Sequence, residues 1–304
     1  MVSFTKPPLS PSEMVDLFIK RGMIVPDRGK AERCLKDIGY YRLKGYARVV
    51  CEDQVTHHLV AGTTFDDVLR FYTFDRKLRL LTMDAVERIE VALKANMYTL
   101  MGDDTKDPFW YINPFYFQNK ERHDEFMESC IKAFEKSEDD FIVNFKRKHP
   151  EHSLPPCWMM FEILTLGPIS KAYKNLTQEN QNKVTAGYSV HRSILESWFQ
   201  AIHIVRNICA HHSPLYNRMM PRHNVIIKGP RGRAFKKVDN VSFASRALIM
   251  VILLEIIAPG SEWRMKLLDL FAKFPQIDLI DLGFNEDPAS LFNLACPPQV
   301  TPTA

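Results

Sequence analysis

Several common sequence features are missing from this chain, and each absence excludes a class of function. Glycine is scarce, with 12 residues in 304, and neither a GxxxxGK[ST] nor a GxGxxG pattern occurs. These absences argue against a nucleotide-cofactor enzyme, because such enzymes bring glycine-rich backbone close to phosphates. We therefore expect no bound cofactor.

The cysteines also lack an organised pattern. The six cysteines are scattered and none belongs to a CxxC spacing, so the sequence predicts neither a zinc site nor a disulfide framework. His57, His58 and His123 have no spacing typical of metal ligands, and we expect no metal. A chain of this kind suits the reducing cytoplasm, where we expect to find it.

Long apolar runs are absent too. The N-terminus has no basic segment followed by an apolar run, as a signal peptide would. The most apolar stretch, ALIMVILLEIIA at residues 247–258, is too short for a membrane span and contains Glu255. The sequence therefore predicts a buried helix there, and no membrane partner.

The residues that are present predict a mostly α-helical, all-α fold, because apolar positions recur at helical spacing and strand signals are few. HNVIIK, at residues 223–228, is a candidate strand, and VTHHLVAGTT, at residues 55–64, is expected to be a loop or a short hairpin. We divide the chain into an N-terminal helical and aromatic-basic segment (1–62), a helical bundle (63–275) and an irregular C-terminal tail (276–304). A basic loop at 213–240 interrupts the bundle. Thr64 is predicted to cap a long helix.

The segment before Pro214 is the most informative one. On a helical wheel for residues 193–212, apolar residues form one broad face. The opposite face is a narrow polar band of Glu196, Gln200, His203, Asn207 and His211, with Arg206 at its edge. His212 falls on the core side, where it faces the bundle or caps the helix end.

A polar band is usually the solvated face of a helix, and a histidine in the last turn also suits the helix dipole. This band is poor in lysine, however, and holds groups that bind anions or transfer protons. The Arg-x4-His spacing occurs three times, at Arg206/His211, Arg147/His152 and Arg218/His223, but only the first pair lies within an unbroken helical pattern. The spacing alone therefore decides nothing.

Four blocks together resemble a known family, the abortive-infection proteins of the AbiD/AbiF type, which belong to the wider HEPN group. These blocks are Ile38–Tyr46, Phe71–Met97, Trp158–Tyr173 and Val205–Arg218. Some positions depart from the family pattern, where serine is commoner than Thr165, a basic residue often replaces Pro214 and tryptophan often replaces Tyr216. The departures at Pro214 and Tyr216 do not affect the residues to which the family pattern assigns the chemistry.

The resemblance implies a HEPN-type helical bundle with additional N- and C-terminal helices, and a metal-independent ribonuclease acting as a homodimer. On that pattern Arg206 and His211 carry the chemistry, with Asn207 beside them. The residue types suit the task, because histidine exchanges protons near neutral pH and arginine stays charged and grips phosphate. One histidine in each chain supplies a base or an acid, so a dimer would bring two together. His203 is the alternative within one chain, although a groove-wall role suits it better.

Other residues are candidates for contact with RNA. The stretch 218–237 holds seven basic residues and no acidic one, beginning with Arg218 and Arg222. It lies directly after the motif, where an RNA backbone would need counter-charge. Arg42 and Lys44 alternate with aromatic residues, which suits either base stacking or anchoring of the bundle.

Glu162 lies in an apolar stretch and is expected to be buried with a partner. Trp158, Tyr173 and the aromatic loop 109–117 are expected to pack in the core. Two other functions stay open, namely an RNA-binding protein that holds a noncoding or phage RNA without cleaving it, and an inhibitory partner of another toxin. The partners expected are thus RNA, a regulatory RNA or protein, and a second copy of the chain.

Overall fold

The structure is a computed structural model, and it describes residues 7–53, 55–226 and 228–296. These residues form fourteen α-helices and one small hairpin, joined by loops and short 3-10 turns. The N-terminal elements are α1 (Pro11–Lys20), α2 (Arg28–Ile38), α3 (Tyr40–Ala47), β1 (Cys51–Asp53) and β2 (His58–Leu59). The central helices are α4 (Phe65–Thr105), α5 (Lys120–Lys136), α6 (Asp140–Lys148), α7 (Cys157–Ile163), α8 (Leu166–Asn175), α9 (Gln178–Thr185) and α10 (Arg192–Ala210). The last helices are α11 (Gly229–Phe235), α12 (Phe243–Ile257), α13 (Trp263–Ala272) and α14 (Pro288–Ala295). The all-α prediction is confirmed.

Local sequence signals explain where several helices begin. Thr64 caps α4, and a reciprocal capping box with Asp67 satisfies two backbone N–H groups. Ser10 and Glu13 form the same arrangement before α1. Gly39, at a φ of 90°, separates α2 from α3.

The 41-residue helix α4 is the axis of the fold. It packs against α3, α7, α9, α10, α12 and α13. Every residue from Phe243 to Leu254 in α12 is buried, so the most apolar stretch of the sequence is a core helix, as predicted. None of the helices in the described ranges combines the length and the hydropathy needed to cross a bilayer.

Buried residues form two clusters. The smaller one joins α1–α3 to the start of α4, from Val15 to Val68, and the larger one holds the other helices. Because α4 contributes to both clusters, the N-terminal helices sit against one end of the main bundle. The division at residue 62 stays a prediction.

Four local predictions are wrong. The described residues of 223–228 form no strand, and Ile227 lies outside the described residues. The tail after residue 275 is helical in part, with a 3-10 turn at Leu279–Leu282 and helix α14. Glu162 is exposed, because the short helix α7 turns this residue towards solvent, and Trp158 is 48% exposed. The aromatic loop and Tyr173 do pack in the core, through Trp110, Tyr111 and Phe117, whereas Phe115 is exposed.

Candidate functional site at the end of helix α10

Helix α10 has the two faces that its sequence predicts. Its apolar side is buried against α4, α8, α9 and α12. His203, Asn207 and His211 follow one another at four-residue intervals on the other side, which places them in line on one face. Arg206 lies beside them and is half-buried.

The helix ends in a turn that separates the roles of the two adjacent histidines. The Ser213 N–H donates to the Ile208 carbonyl at 3.0 Å and the His212 N–H donates to the Cys209 carbonyl at 3.0 Å. These two bonds define a Schellman motif. His211 is its cap residue, and His212 takes the left-handed conformation with a φ of 56°.

Both histidine side chains are exposed. The expectation that His212 faces the core is therefore wrong, because its left-handed backbone turns the chain out of the helix. The alternative expectation is that His212 caps the helix end; the cap residue is His211, and His212 follows it in the capping turn. His211 remains on the polar face, within reach of a ligand that lies along α10.

Asn207 and His203 form a pair on this face. The Asn207 amide Nδ2 lies 3.2 Å from His203 Nε2. The amide therefore contacts the histidine that precedes it on this face, and not His211. If Asn207 donates this bond, His203 Nε2 accepts it and the proton of the neutral ring is on Nδ1, a buried atom with no partner in the described part of the chain.

The environment of His203 keeps it neutral near pH 7. Burial lowers the pKa of His203, and the nearby positive charge of Arg206 lowers it further. The ring edge also packs closely on Gly167 in α8, where an added Cβ would lie 2.9 Å from His203 Cε1. A fixed, neutral imidazole of this kind serves as part of a groove wall, as the sequence suggested.

Arg206 is available for an external anion. Among the residues that the structure describes, its guanidinium has no hydrogen-bond or ion-pair partner. A half-buried arginine without a carboxylate partner carries charge that a phosphate could neutralise bidentately. The His211 side chain likewise makes no hydrogen bond within residues 7–53, 55–226 and 228–296.

Three of the sequence blocks that carry the family resemblance meet at one buried carboxylate, Asp75 on α4. Its side chain is fully buried. Tyr46 donates to it at 2.5 Å, Arg79 forms an ion pair with it, and the backbone N–H groups of Leu215 and Tyr216 donate at 3.0 and 2.7 Å. The carboxylate thus holds α3, α4 and the loop after α10 together.

Burial raises the pKa of the Asp75 carboxyl, and its four donors limit that rise because each stabilises the charged form. The sequence analysis missed this residue. One signal could have found it: Asp75 and Arg79 are an acid–base pair at helical spacing, on the stripe of α4 that Leu78 marks as core-facing.

The structure brings together only some of the predicted RNA contacts. The Arg42 guanidinium donates to the His212 carbonyl, so this residue lies at the end of α10. Lys44 lies on another side of α3, close to His57 and Cys51 of the hairpin region. The buried Tyr40 and Tyr46 show that this segment anchors the fold, while Tyr41 is 82% exposed.

The basic loop is more ordered than predicted, because it contains α11. Arg218 and Arg222 are exposed, and Arg218 donates to the Pro214 carbonyl at 3.3 Å. Buried Arg246 holds the loop from α12 by donating to the carbonyls of Pro221 and Asn240. The loop also contacts α10 directly, since the Trp198 indole N–H donates to the Asn224 carbonyl at 2.9 Å.

No three histidine, cysteine or acidic side chains come together as metal ligands within the described residues.

A family profile described as Abi-like protein matches residues 33–217, more than half of the chain. No curated protein and no solved structure matches the chain. The matched range covers Tyr46, Asp75, Arg206 and His211, and it points to a role in abortive infection. The chain belongs to the family of Abi-like proteins.

Proposed function

We propose that this protein is a metal-independent endoribonuclease of HEPN type that acts in abortive infection, in defence against phage. Two side chains near the end of α10 carry the proposal, namely the Arg206 guanidinium, which has no partner among the described residues, and the exposed His211 imidazole. Family membership supports the biological setting.

The chemistry needs a base, an acid and a positive charge. The base removes the proton of a 2′-OH, and the 2′-oxygen attacks the adjacent phosphorus. The bond from phosphorus to the 5′-oxygen then breaks, and the acid protonates that oxygen. The products are a 2′,3′-cyclic phosphate and a 5′-OH. Arg206 would stabilise the charge on the phosphorane, which is the kind of preorganised electrostatic effect that lowers barriers most.

His211 would carry the proton in this reaction, because its exposed imidazole can both accept and donate a proton at the site. His203 is less suited to the same task, since its Nδ1 is buried and its Nε2 contacts Asn207. On the polar face of α10, His211 is thus the exposed imidazole, while the exposed His212 lies in the turn that follows the helix. We propose that a symmetric homodimer supplies a second His211, so that one His211 acts as base and the other as acid.

Incubation of the purified protein with total RNA in excess EDTA tests this function. We expect cleavage that leaves 2′,3′-cyclic phosphate ends, and we expect Arg206→Ala to abolish it. RNA that is bound tightly but never cut would instead favour the RNA-binding alternative, and co-purification of a second protein would favour a role as an inhibitory partner.

A further inference from the structure

A groove lies beside the candidate site, between α5, α8 and α10. Its volume is about 570 Å³, within the range of sites that enclose a small molecule. Helix α5 contributes Arg122, Glu125, Phe126 and Ser129, and α10 contributes Glu196, Gln200 and His203. The remaining wall is α8, with Gly167, Lys171 and Lys174 among its lining residues.

The groove and the candidate site share a wall. His203 lines the groove and contacts the Asn207 amide on the same face of α10. Gln200 and Glu196 continue that face away from His211, at the intervals that helix geometry sets. A ligand in the groove would therefore lie along α10, with one end next to Arg206.

The side chains that line the groove suit an anion with a planar polar group. Arg122 and Lys171 are exposed, and neither has an ion-pair partner among the residues described. Lys174 is neutralised by Glu196 at 3.2 Å. Gln200 and Glu125 present an amide and a carboxylate that are also without partners in the described ranges.

These groups match the edges of nucleobases. A glutamine amide donates and accepts at once, and a carboxylate accepts from an exocyclic amino group. The half-buried His203 adds ring surface of the kind that splayed-out RNA bases use for stacking. Phe126 also lines the groove, but its side chain is buried. Gly167 is part of this arrangement, because a side chain there would displace the His203 ring.

We propose that this groove binds one nucleotide of an RNA, with the base against Gln200 and Glu125 and a phosphate near Lys171 and Arg122. The inference rests on the proposed function for the identity of the ligand as RNA. The groove then places a neighbouring phosphate of the strand at Arg206, so it determines which bond is cut.

The test measures binding separately from cleavage. The full chain is titrated with AMP, GMP, CMP and UMP, and with ribose 5-phosphate as a ligand without a base, by saturation-transfer NMR. We expect at least one nucleotide to bind more tightly than ribose 5-phosphate. Gln200→Ala should weaken the binding of that nucleotide roughly five- to tenfold, which is the effect of one lost hydrogen-bonding group.

Gln178→Ala is the matched control, because Gln178 is an exposed glutamine on α9 outside the groove, and it should bind as the wild type does. Equal binding of ribose 5-phosphate and nucleotides, or equal nucleotide affinity in both glutamine variants, would refute the proposal that the groove binds a nucleotide. RNA cleavage that depends on Arg206 would in that case leave the proposed function intact. If nucleotide binding depends on Gln200 but the protein cleaves no RNA, the proposal for the groove stands and the proposed nuclease function is wrong.

Discussion

Replacement of Asp75 by asparagine should destabilise the fold severely. The change keeps the size of the side chain but removes the charge that faces Arg79, whose side chain is 7% exposed. Breaking a buried ion pair from one side costs about 3–5 kcal/mol, because the remaining charge is left without a partner. That is a large share of a typical stability of about 5–15 kcal/mol.

Helix α4 provides its own control for this effect. Asp84 and Arg88 form an ion pair with the same four-residue spacing, at 3.3 Å, but their side chains are 41% and 36% exposed. Asp84→Asn should cost less than about 0.5 kcal/mol, because solvent screens exposed pairs. Urea unfolding followed by circular dichroism gives both differences in the free energy of unfolding.

Two further variants separate the contributions at Asp75. Tyr46→Phe removes one hydroxyl donor and should cost about 1.5–3 kcal/mol, as for hydrogen bonds to charged groups. A double variant, Asp75→Asn with Arg79→Met, should recover part of the loss, since no buried charge is left alone. If Asp75→Asn costs no more than Asp84→Asn, the reasoning about this junction is wrong.

Three more predictions follow from the histidines and glycines. Burial lowers the pKa of His223 to about 4, so the folded state favours the neutral ring. The contribution of His223 to the free energy of unfolding is therefore complete above pH ~6.5 and is lost as the pH falls towards 4. The loss amounts to about 2 kcal/mol between pH 7 and pH 5. His223→Gln should flatten that part of the pH dependence of the unfolding free energy by the same amount. His212→Gly should raise stability by about 0.5–1 kcal/mol in urea unfolding, since glycine adopts the left-handed conformation without strain. Gly102→Ala should also raise the free energy of unfolding by about 0.5–1 kcal/mol, because the added Cβ would meet its nearest neighbour only at 4.0 Å. Gly167→Ala should show no such increase in the same assay, because its Cβ would press on the His203 ring.

Each of these predictions has a contrary outcome. An unchanged pH dependence in His223→Gln would mean that the buried ring does not titrate with the folding equilibrium. A loss of stability in His212→Gly would contradict the Schellman turn at the end of α10. Equal stability of Gly102→Ala and Gly167→Ala would mean that the His203 ring yields at no cost.

Features fixed by neighbouring residues could be predicted from the sequence. The cap at Thr64, the break at Gly39 and the buried face of α10 each depend on residues within two turns of one another. The polar face of α10 follows from the same periodicity. Periodicity alone does not single out Arg206, Asn207 and His211 on that face, and it is the resemblance to the abortive-infection family that marks them as the candidate site.

Features that depend on distant residues, or on unusual backbone, could not be predicted. The bond from Asp75 to Tyr216 joins positions 141 residues apart. The left-handed conformation of His212 has no marker, because glycine is the usual residue in that position. The sequence predicts an irregular tail, but Pro288 occupies the start of α14, where its fixed φ is favourable.

The most direct test of the central claim compares two neighbouring residues. Single-turnover RNA cleavage in EDTA is measured for the wild type, His211→Ala and His212→Gly, where the glycine keeps the turn at the end of α10. We expect cleavage by His211→Ala to fall by a factor of about 10²–10⁴, as for a lost acid or base, while His212→Gly cleaves like the wild type. Cleavage that survives in His211→Ala, or that is lost only in His212→Gly, would contradict the proposed role of His211.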